Sequence, residues 1–287
     1  MPDRLLALTT FLRVAERGSL TAAAADLGTS QPSVTRAVAA LEAELGTRLF
    51  HRTTHAVTPT EAGRMLLPKA RSLVAGWDDL SDALRATDDL RGPLHVVAPV
   101  ALGQTELISV LTDFRTAHPG VSVNWQLTDA EIRLAEVGAD LWIRVGAVPD
   151  DRLVQRRLGT VRRSVLGHPD FMGRELKHCP WITLGPYEGR RIELAEGSFE
   201  VEPVLNTNSI AVVSEALRAG LGVAIAPEWY LRDDLAEGRL RRLGGTATAL
   251  PVHLAHAPEG RSRRLSALMD AVATHMTARV LDQAGAD

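Results

Sequence analysis

Three glycines, Gly18, Gly28 and Gly46, each stop a helical pattern near the start of the chain, and this punctuation limits the possible folds more than any other feature. The first pattern places Leu5, Leu8, Phe11, Leu12 and Ala15 three or four residues apart on one stripe, and Gly18 ends it. Ser19 suits the N-cap of a second short helix, TAAAADL, which Gly28 closes. Ser30 suits the cap of a third, with Pro32 in its first turn, where a missing N–H is no loss. That helix is expected to bury Val34, Val38, Leu41 and Leu45 and to stop at Gly46. RLFHRTTHAVTPT follows, with β-branched and aromatic residues around a polar turn, and reads as a two-stranded ribbon. Helix, helix, glycine turn, helix and ribbon together describe a winged helix-turn-helix.

The third helix opens with SQPSVTRAV, and Gln31, Ser33, Thr35 and Arg36 do little for a core. Such side chains form either a solvated face or a contact surface. Beyond the ribbon, residues 60–88 read as one long helix beginning at Thr60 and Glu61. Leu66, Ala70, Leu73, Trp77, Leu80 and Leu84 recur at spacings of 4, 3, 4, 3 and 4, the seam of a two-stranded coiled coil. The competing reading packs this helix on its own domain. The narrow apolar stripe, flanked by Asp78, Asp79, Asp82 and Arg85, favours dimerisation. Pro68 should bend the first turns. Asp88, Asp89 and the Arg91-Gly92-Pro93 step mark a boundary.

From Leu94 onward the texture is α/β. LHVVA, VSVNWQL and DLWIRVG read as strands, LISVLTDFRTAHPG as an amphipathic helix, and DAEIRLAEVG as a further helical stretch. VRRSVLGH, LGVAIAP and PVHLAHA supply more strands, SIAVVSEALRAG another helix, and SRRLSALMDAVATHMTARVL the last one. Alternating strands and helices predict a mostly parallel sheet covered on both faces.

Composition narrows the function classes. The chain has 287 residues, 45% of them hydrophobic and 23% charged, enough for two domains or one divided domain. A net charge of −3 argues against non-specific coating of nucleic acid. Residues 1–72 nevertheless carry nine bases against six acids. The single Cys179 leaves no intramolecular disulfide, and MPDRLLALTTFLRVAER does not read as a secretion signal. No apolar run is long enough for a membrane span, so a cytoplasmic protein without a membrane partner is expected.

The stretch FLRVAERGSLTAAAADLGTSQPSVTRAVAALEAELGTRLFHRTTHAVTPTEAGRMLL resembles the DNA-binding half of LysR-type transcriptional regulators, without a gap across residues 4–67. ADLWIRVG, RLVQRRLG, SVLGHPDFM, AGLGVAIAPEW and LAEGRLRRL are similar, in order, to the effector-binding half of that family. The resemblance implies a winged helix-turn-helix over residues 1–59, a linker and dimerisation helix over 60–90, and an effector-binding domain over 91–287. It further implies two Rossmann-like subdomains of the periplasmic-binding-protein kind. Subdomain I would comprise 91–162 and 259–287 and subdomain II 163–258, with crossings near Arg162–Arg163 and Pro258–Glu259.

On this reading the third helix enters a major groove. Gln31 is suited to adenine and Arg36 to guanine or phosphate, with Ser33 and Thr35 serving bases or backbone and Pro32 packing on a sugar or methyl group. Arg52, with Thr53 beside it, would enter a narrow minor groove from the wing, while Arg48 is a structural or phosphate contact. The expected partners are double-stranded DNA with an interrupted palindrome, a second copy of the chain with a tetramer beyond the dimer, and a small effector; RNA polymerase is a further candidate. The effector would lie outside the carboxyl ends of the strands. Pro99 and Val100 open a helix there and offer N–H groups to an anion. The resemblance points to Thr128 and Asn208 as effector contacts, and Arg144 at a strand end favours a carboxylate. Against these stand an internal ion pair of Arg144 with Asp140 or Asp150, and a plain N-cap role for Asn208.

Signals of catalysis are weak, and neither cofactor nor metal is expected. Gly220-Leu221-Gly222 follows a helix and precedes a strand, the reverse of a dinucleotide fingerprint. His51 with His55 and His253 with His256 lack a third metal ligand, and Cys179 lacks a base, so a buried thiol is expected. The alternatives are a DNA-binding regulator without a ligand, or a solute-binding protein or enzyme of the same α/β fold. The last two leave the first sixty residues unexplained.

Overall fold

The computed structural model describes residues 3–52, 57–85, 90–185, 189–258 and 261–281, without the side chains of 78, 79 and 82–85. Thr53, His55 and Glu259 therefore lie outside the described residues, as does the side chain of Leu84.

Helices α1 (Arg4–Arg17), α2 (Leu20–Asp26) and α3 (Gln31–Leu45) form the head of the molecule. Each starts where a side-chain oxygen takes an otherwise unpartnered N–H: Asp3 accepts from Leu5 and Leu6, Ser19 from Ala22, and Ser30 from Ser33. Gly18 and Gly46 end α1 and α3 in the left-handed region, at φ 60° and 66°. Phe11, Val14, Ala23, Val34 and Val38 meet in one core, closed by Leu49 and Phe50 from the ribbon β1 (Phe50–Arg52) and β2 (Val57–Pro59). Leu45, expected inside, is exposed; the last turn of α3 buries Glu42 instead.

The long helix α4 (Glu61–Arg85) starts beside the wing. Thr60 Oγ1 donates to Arg48 O at 2.7 Å and accepts from Gly63 N–H at 3.0 Å. Gly63 permits that approach, because a Cβ there would overlap the Leu49 carbonyl. The expected seam divides along its length. Ala70 is fully buried and Leu66 partly so, both against the core of the head together with Leu67 and Val74. These two are corrected from partner-facing to inward-facing residues, since the first turns of α4 pack on α1. Leu73, Trp77 and Leu80 remain 59%, 54% and 53% exposed.

The α/β region begins with β3 (Gly92–Ala98), α5 (Val100–Gln104), α6 (Glu106–Ala117), β4 (Val121–Leu127), α7 (Leu134–Val137), β5 (Leu141–Val145) and β6 (Val154–Val161). A second unit follows, with β7 (Arg163–Gly167), β8 (Ile182–Leu184), the hairpin of β9 (Arg191–Leu194) and β10 (Gly197–Glu200), and β11 (Leu205–Thr207). Helix α8 (Ile210–Arg218), β12 (Val223–Pro227), α9 (Arg232–Ala236) and β13 (Arg241–Thr246) complete it. Strand β14 (Leu250–His256) and α10 (Arg263–Arg279) return to the first unit.

Neither sheet is mostly parallel. The first has the order β4-β3-β5-β14-β6, with β3 parallel to β4 and β5, and β14 antiparallel to β5 and β6. In the second, β7 lies antiparallel between β12 and β13, while β8 is parallel to β11 and bridges to Val223 through Trp181. Parallel pairing needs a long crossover. Arg162 alone joins β6 to β7, and only residues 247–249 join β13 to β14, so the chain passes between the two sheets through short connections rather than crossover helices. The return crossing accordingly lies at 247–249 rather than at Pro258–Glu259, because β14 is a strand of the first sheet. Helices α6 and α10 cover one face over Leu94, Val96, Leu141, Ile143 and Leu254, while Val97, Trp142 and Ala255 pack with Leu134 on the other. With both faces covered, the inner strands β3, β5 and β14 are largely apolar and buried, while the edge strands β4 and β6 are not.

The helix expected across DAEIRLAEVG shrinks to the single turn α7. Tertiary bonds claim the preceding residues: Thr128 N–H donates to Ala98 O, and Arg144 donates to Asp129 O.

In the second unit, buried Asp234 of α9 accepts from Arg218 Nε and Nη2 at 3.0 and 2.7 Å and from Arg239 Nε at 2.6 Å. The Arg218 hydrogen bond, more than any other contact, holds its carboxyl below the usual aspartate range. A depressed carboxyl stabilises the fold fully above about pH 4, and that contribution is lost as the pH falls through the lowered value. Asp234→Asn should cost about 2 kcal/mol at neutral pH, discounted because both arginines are half exposed, and should flatten the acid limb below about pH 4. Urea titrations across pH measure both effects.

Candidate nucleic-acid interface and ligand cleft

The start of α3 is built for display. Gln31, Pro32 and Arg36 are exposed, Ser33 and Thr35 half-buried, while Val34 and Val38 anchor the opposite face. Ser30 Oγ lies 2.9 Å from Ser33 Oγ, and Arg36 Nη2 donates to Ser33 Oγ at 3.3 Å. The capping serine is thereby linked through Ser33 to the guanidinium of Arg36. The positive end of the helix dipole at this start favours an anion such as a phosphate.

Glu42, unmarked by any sequence signal, joins this helix to the wing. Its buried Oε1 accepts from Leu49 N–H at 2.8 Å and Phe50 N–H at 3.3 Å. Oε2 lies 3.7 Å from Arg52 and 3.9 Å from Arg48. Arg52 is thus exposed but held against the base of the wing, and Arg48 is the more open of the two.

A cavity of about 230 Å³ lies between the two sheets, outside the carboxyl ends of the parallel strands. Pro99 and Val100 after β3 and Asp129 after β4 form one wall; Asn208 after β11 and Trp229 and Tyr230 after β12 form another. The rings of Trp229 and Tyr230 meet edge to face, with centroids 5.4 Å apart. The N-cap of α8 is Ser209, not Asn208, so Asn208 lines the cavity without that duty.

Two expected effector residues stand elsewhere. Thr128 is outside the lining, and its Oγ1 accepts from Ala130 N–H at 3.1 Å in a local turn. Arg144 is buried behind the wall, 5.4 Å over the Trp142 ring, with Nη1 donating to Asp129 O at 2.8 Å and Nη2 3.9 Å from Glu131. Strand alternation turns Arg144 to the Trp142 side of the sheet while Val145 faces the cavity. Its partners are not Asp140, which receives His95 N–H, nor Asp150, which pairs with Arg152. The Val100 N–H proposed for an anion is already taken, by Asp129 Oδ1 at 3.3 Å. Burial raises the Asp129 carboxyl above its ordinary range, against the Val100 hydrogen bond and the field of Arg144. Asp129 and Arg163, both lining the cavity, were missed because neither stands in an identifying motif.

Arg71 of α4 ties the head to the α/β region, donating to Gly138 O at the end of α7 and lying 3.5 Å from Glu16 of α1. Cys179 is buried, and burial pushes its thiol up. Among the described residues no group of three His, Cys, Asp or Glu side chains is placed to hold a metal ion, and no helix is long and apolar enough to cross a membrane.

A winged three-helix head, a linker helix and a two-lobed α/β unit around a cleft define a DNA-binding regulator that carries its own sensory unit. Residues 5–64 match the bacterial regulatory helix-turn-helix model of the lysR family, and residues 87–277 match the LysR substrate binding domain. The chain belongs to the LysR family of transcriptional regulators. An HTH-type transcriptional regulator from Xanthomonas campestris is 31% identical over 251 residues, covering 81% of this chain and 73% of that one. Among solved structures, a full-length OxyR variant from Pseudomonas aeruginosa superposes with a TM-score of 0.73 at 19% identity, covering 98% of both chains. Full-length LysG from Corynebacterium glutamicum, with bound effector arginine, gives 0.65 at 24%, covering 97% of this chain and 99% of that one.

Glu42→Ala should destabilise the head by about 2–3 kcal/mol, because two buried N–H groups lose their acceptor. Glu42→Gln, which keeps an acceptor oxygen, should cost less than half of that. Chemical denaturation of the full chain compares them, and equal losses would remove the hydrogen-bonding account.

Proposed function

We propose that this regulator binds an interrupted palindrome as a dimer, with one α3 in each of two major-groove faces about 34 Å apart. Gln31, Pro32, Ser33, Thr35 and Arg36 would contact bases and backbone, and the wing would contact the flanking groove through Arg52 and Thr53. The single observation that carries this reading is the exposed, capped start of α3, with Arg36 aligned through Ser33. The division of labour follows the chain: residues 1–59 bind DNA, 60–90 join two copies, and the remainder binds an effector. The exposed Leu73, Trp77 and Leu80 stripe supports dimerisation, with tetramers forming through further contacts.

The cleft is proposed as the effector site, with Pro99, Val100 and Asn208 among its contacts. A ligand touching both lobes would favour closure and shift the head through Arg71; coupling requires different affinities for the open and closed forms. We assign the protein no catalytic role and a cytoplasmic location, with RNA polymerase a further partner.

Arg36→Ala should weaken operator binding by about 1–3 kcal/mol and relax sequence preference at the position it reads. Gel-shift titration against operator variants tests this, and unchanged affinity and preference would remove the α3 assignment. Replacing Leu73, Trp77 and Leu80 together by serine should convert dimers to monomers in sedimentation velocity while the head stays folded, since none of the three is in its core.

A further inference from the structure

The wall of the cleft that would most simply receive an anionic ligand holds an anion of the protein's own. Asp129 Oδ1 accepts Val100 N–H at 3.3 Å, so the first N–H of α5 is already taken by the protein's own carboxylate. This carboxylate is held in place by its surroundings. Its carbonyl is taken by buried Arg144 at 2.8 Å, the preceding Thr128 N–H donates to Ala98 O at 3.0 Å, and Ala130 N–H returns to Thr128 Oγ1 at 3.1 Å. Arg144 is spent on this loop and does not reach the cavity. The rest of the cavity lining is largely apolar or aromatic, with Leu102, Val145, Ile210, Trp229 and Tyr230 among it and Gln104, Arg163, Asn208 and Ser209 as its polar members.

An external carboxylate placed beside Asp129 would meet a like charge in a largely apolar cavity, while a cation would meet its opposite charge there, with two aromatic rings in the same cavity. We propose that the effector of this regulator carries an ammonium or similar cationic donor that pairs with Asp129, with an apolar body against Trp229 and Tyr230. The inference rests on the reading of this cleft as the effector site, and it replaces the carboxylate class expected from Arg144. An arriving ammonium would also hold the Asp129 carboxyl in its ionised form, offsetting the burial that raises it. Arg163 lines the cavity from the second lobe, where its Nε and Nη2 donate to Thr248 O at 3.0 and 2.9 Å. Phenylalanine, which carries a carboxylate as well as an ammonium, is distinguished from a simple amine in the test.

The test is isothermal titration calorimetry on the full-length protein with phenethylamine, isoamylamine and phenylalanine, and with hydrocinnamate and isocaproate as acids of matching bodies. The amine-bearing probes should bind roughly tenfold or more tightly than the matching acids. Asp129→Asn should weaken them by about the same factor and abolish the preference, with Asp129→Ser as the substitute if the first variant does not fold. Ile210→Trp, which fills the cavity, should remove binding of every probe. If the acids bind wild type better than the amines and Ile210→Trp removes them, the cationic class is overturned and the cleft reading stands. Amine binding that survives Asp129→Asn undiminished overturns the pairing in the same way. If no probe of either charge binds wild type, or if binding survives Ile210→Trp, both the class and the cleft reading fall.

Discussion

The insertion of β14 between β5 and β6 is the pairing on which the rest of the α/β region depends. It joins residues 250–256 to strands about a hundred positions earlier, burying Val252, Leu254 and Ala255 at the centre of the first sheet. Because β14 must lie there, the whole second unit is an excursion tethered at both ends by very short connections. The two tethers leave and re-enter the first sheet side by side, at Val161 and Leu250. The cavity lies where the strand ends of the two lobes face one another, and its walls come from segments distant in sequence. A long-range antiparallel pairing thus brings the two lobes together around the cleft.

The linker helix shows one apolar repeat serving two purposes. Leu66 and Ala70 face the core of the head, with Leu67 and Val74 beside them, so the early turns of α4 belong to the DNA-binding unit. Further along, Leu73, Trp77 and Leu80 emerge from that contact and stay exposed. The two parts are continuous in a single helix. Arg71, between those two parts, ties the helix to the end of α7 on the sensory side. The wing joins the same unit through Thr60, Gly63 and Glu42, so the presentation of α3 depends on packing well away from Gln31 and Arg36.

Much of the head was legible in the chain because its signals are local. Ser19, Ser30, Gly18 and Gly46 act on the backbone within one turn, and the structure places each helix end beside them. The α/β texture was legible for the same reason, but strand direction was not, since β14 is an apolar, mostly buried strand like parallel β3 and β5, and the exposed, polar β6 carries no strand pattern. The stretch DAEIRLAEVG failed for the opposite reason. Its helical period is real, yet the bonds of Asp129 with Val100 and Arg144 outcompete the first turns. Arg144 looked like a ligand contact from its position at a strand end, and only the direction of its side chain turned it into a brace. Asp129 carried no motif at all.

By itself, then, the sequence determined the elements whose causes lie within a few residues: capped helices, glycine stops, apolar strands, and an α3 start too polar for a core. The resemblance of its motifs extended this to the family and the DNA-binding role. Tertiary structure alone decided which residues of the α4 stripe stay exposed, where the chain crosses back, and that the cleft carries Asp129 rather than Arg144. Those outcomes depend on which distant groups meet when the sheets close, and a buried charge takes its role from its partners, not from its neighbours in the chain.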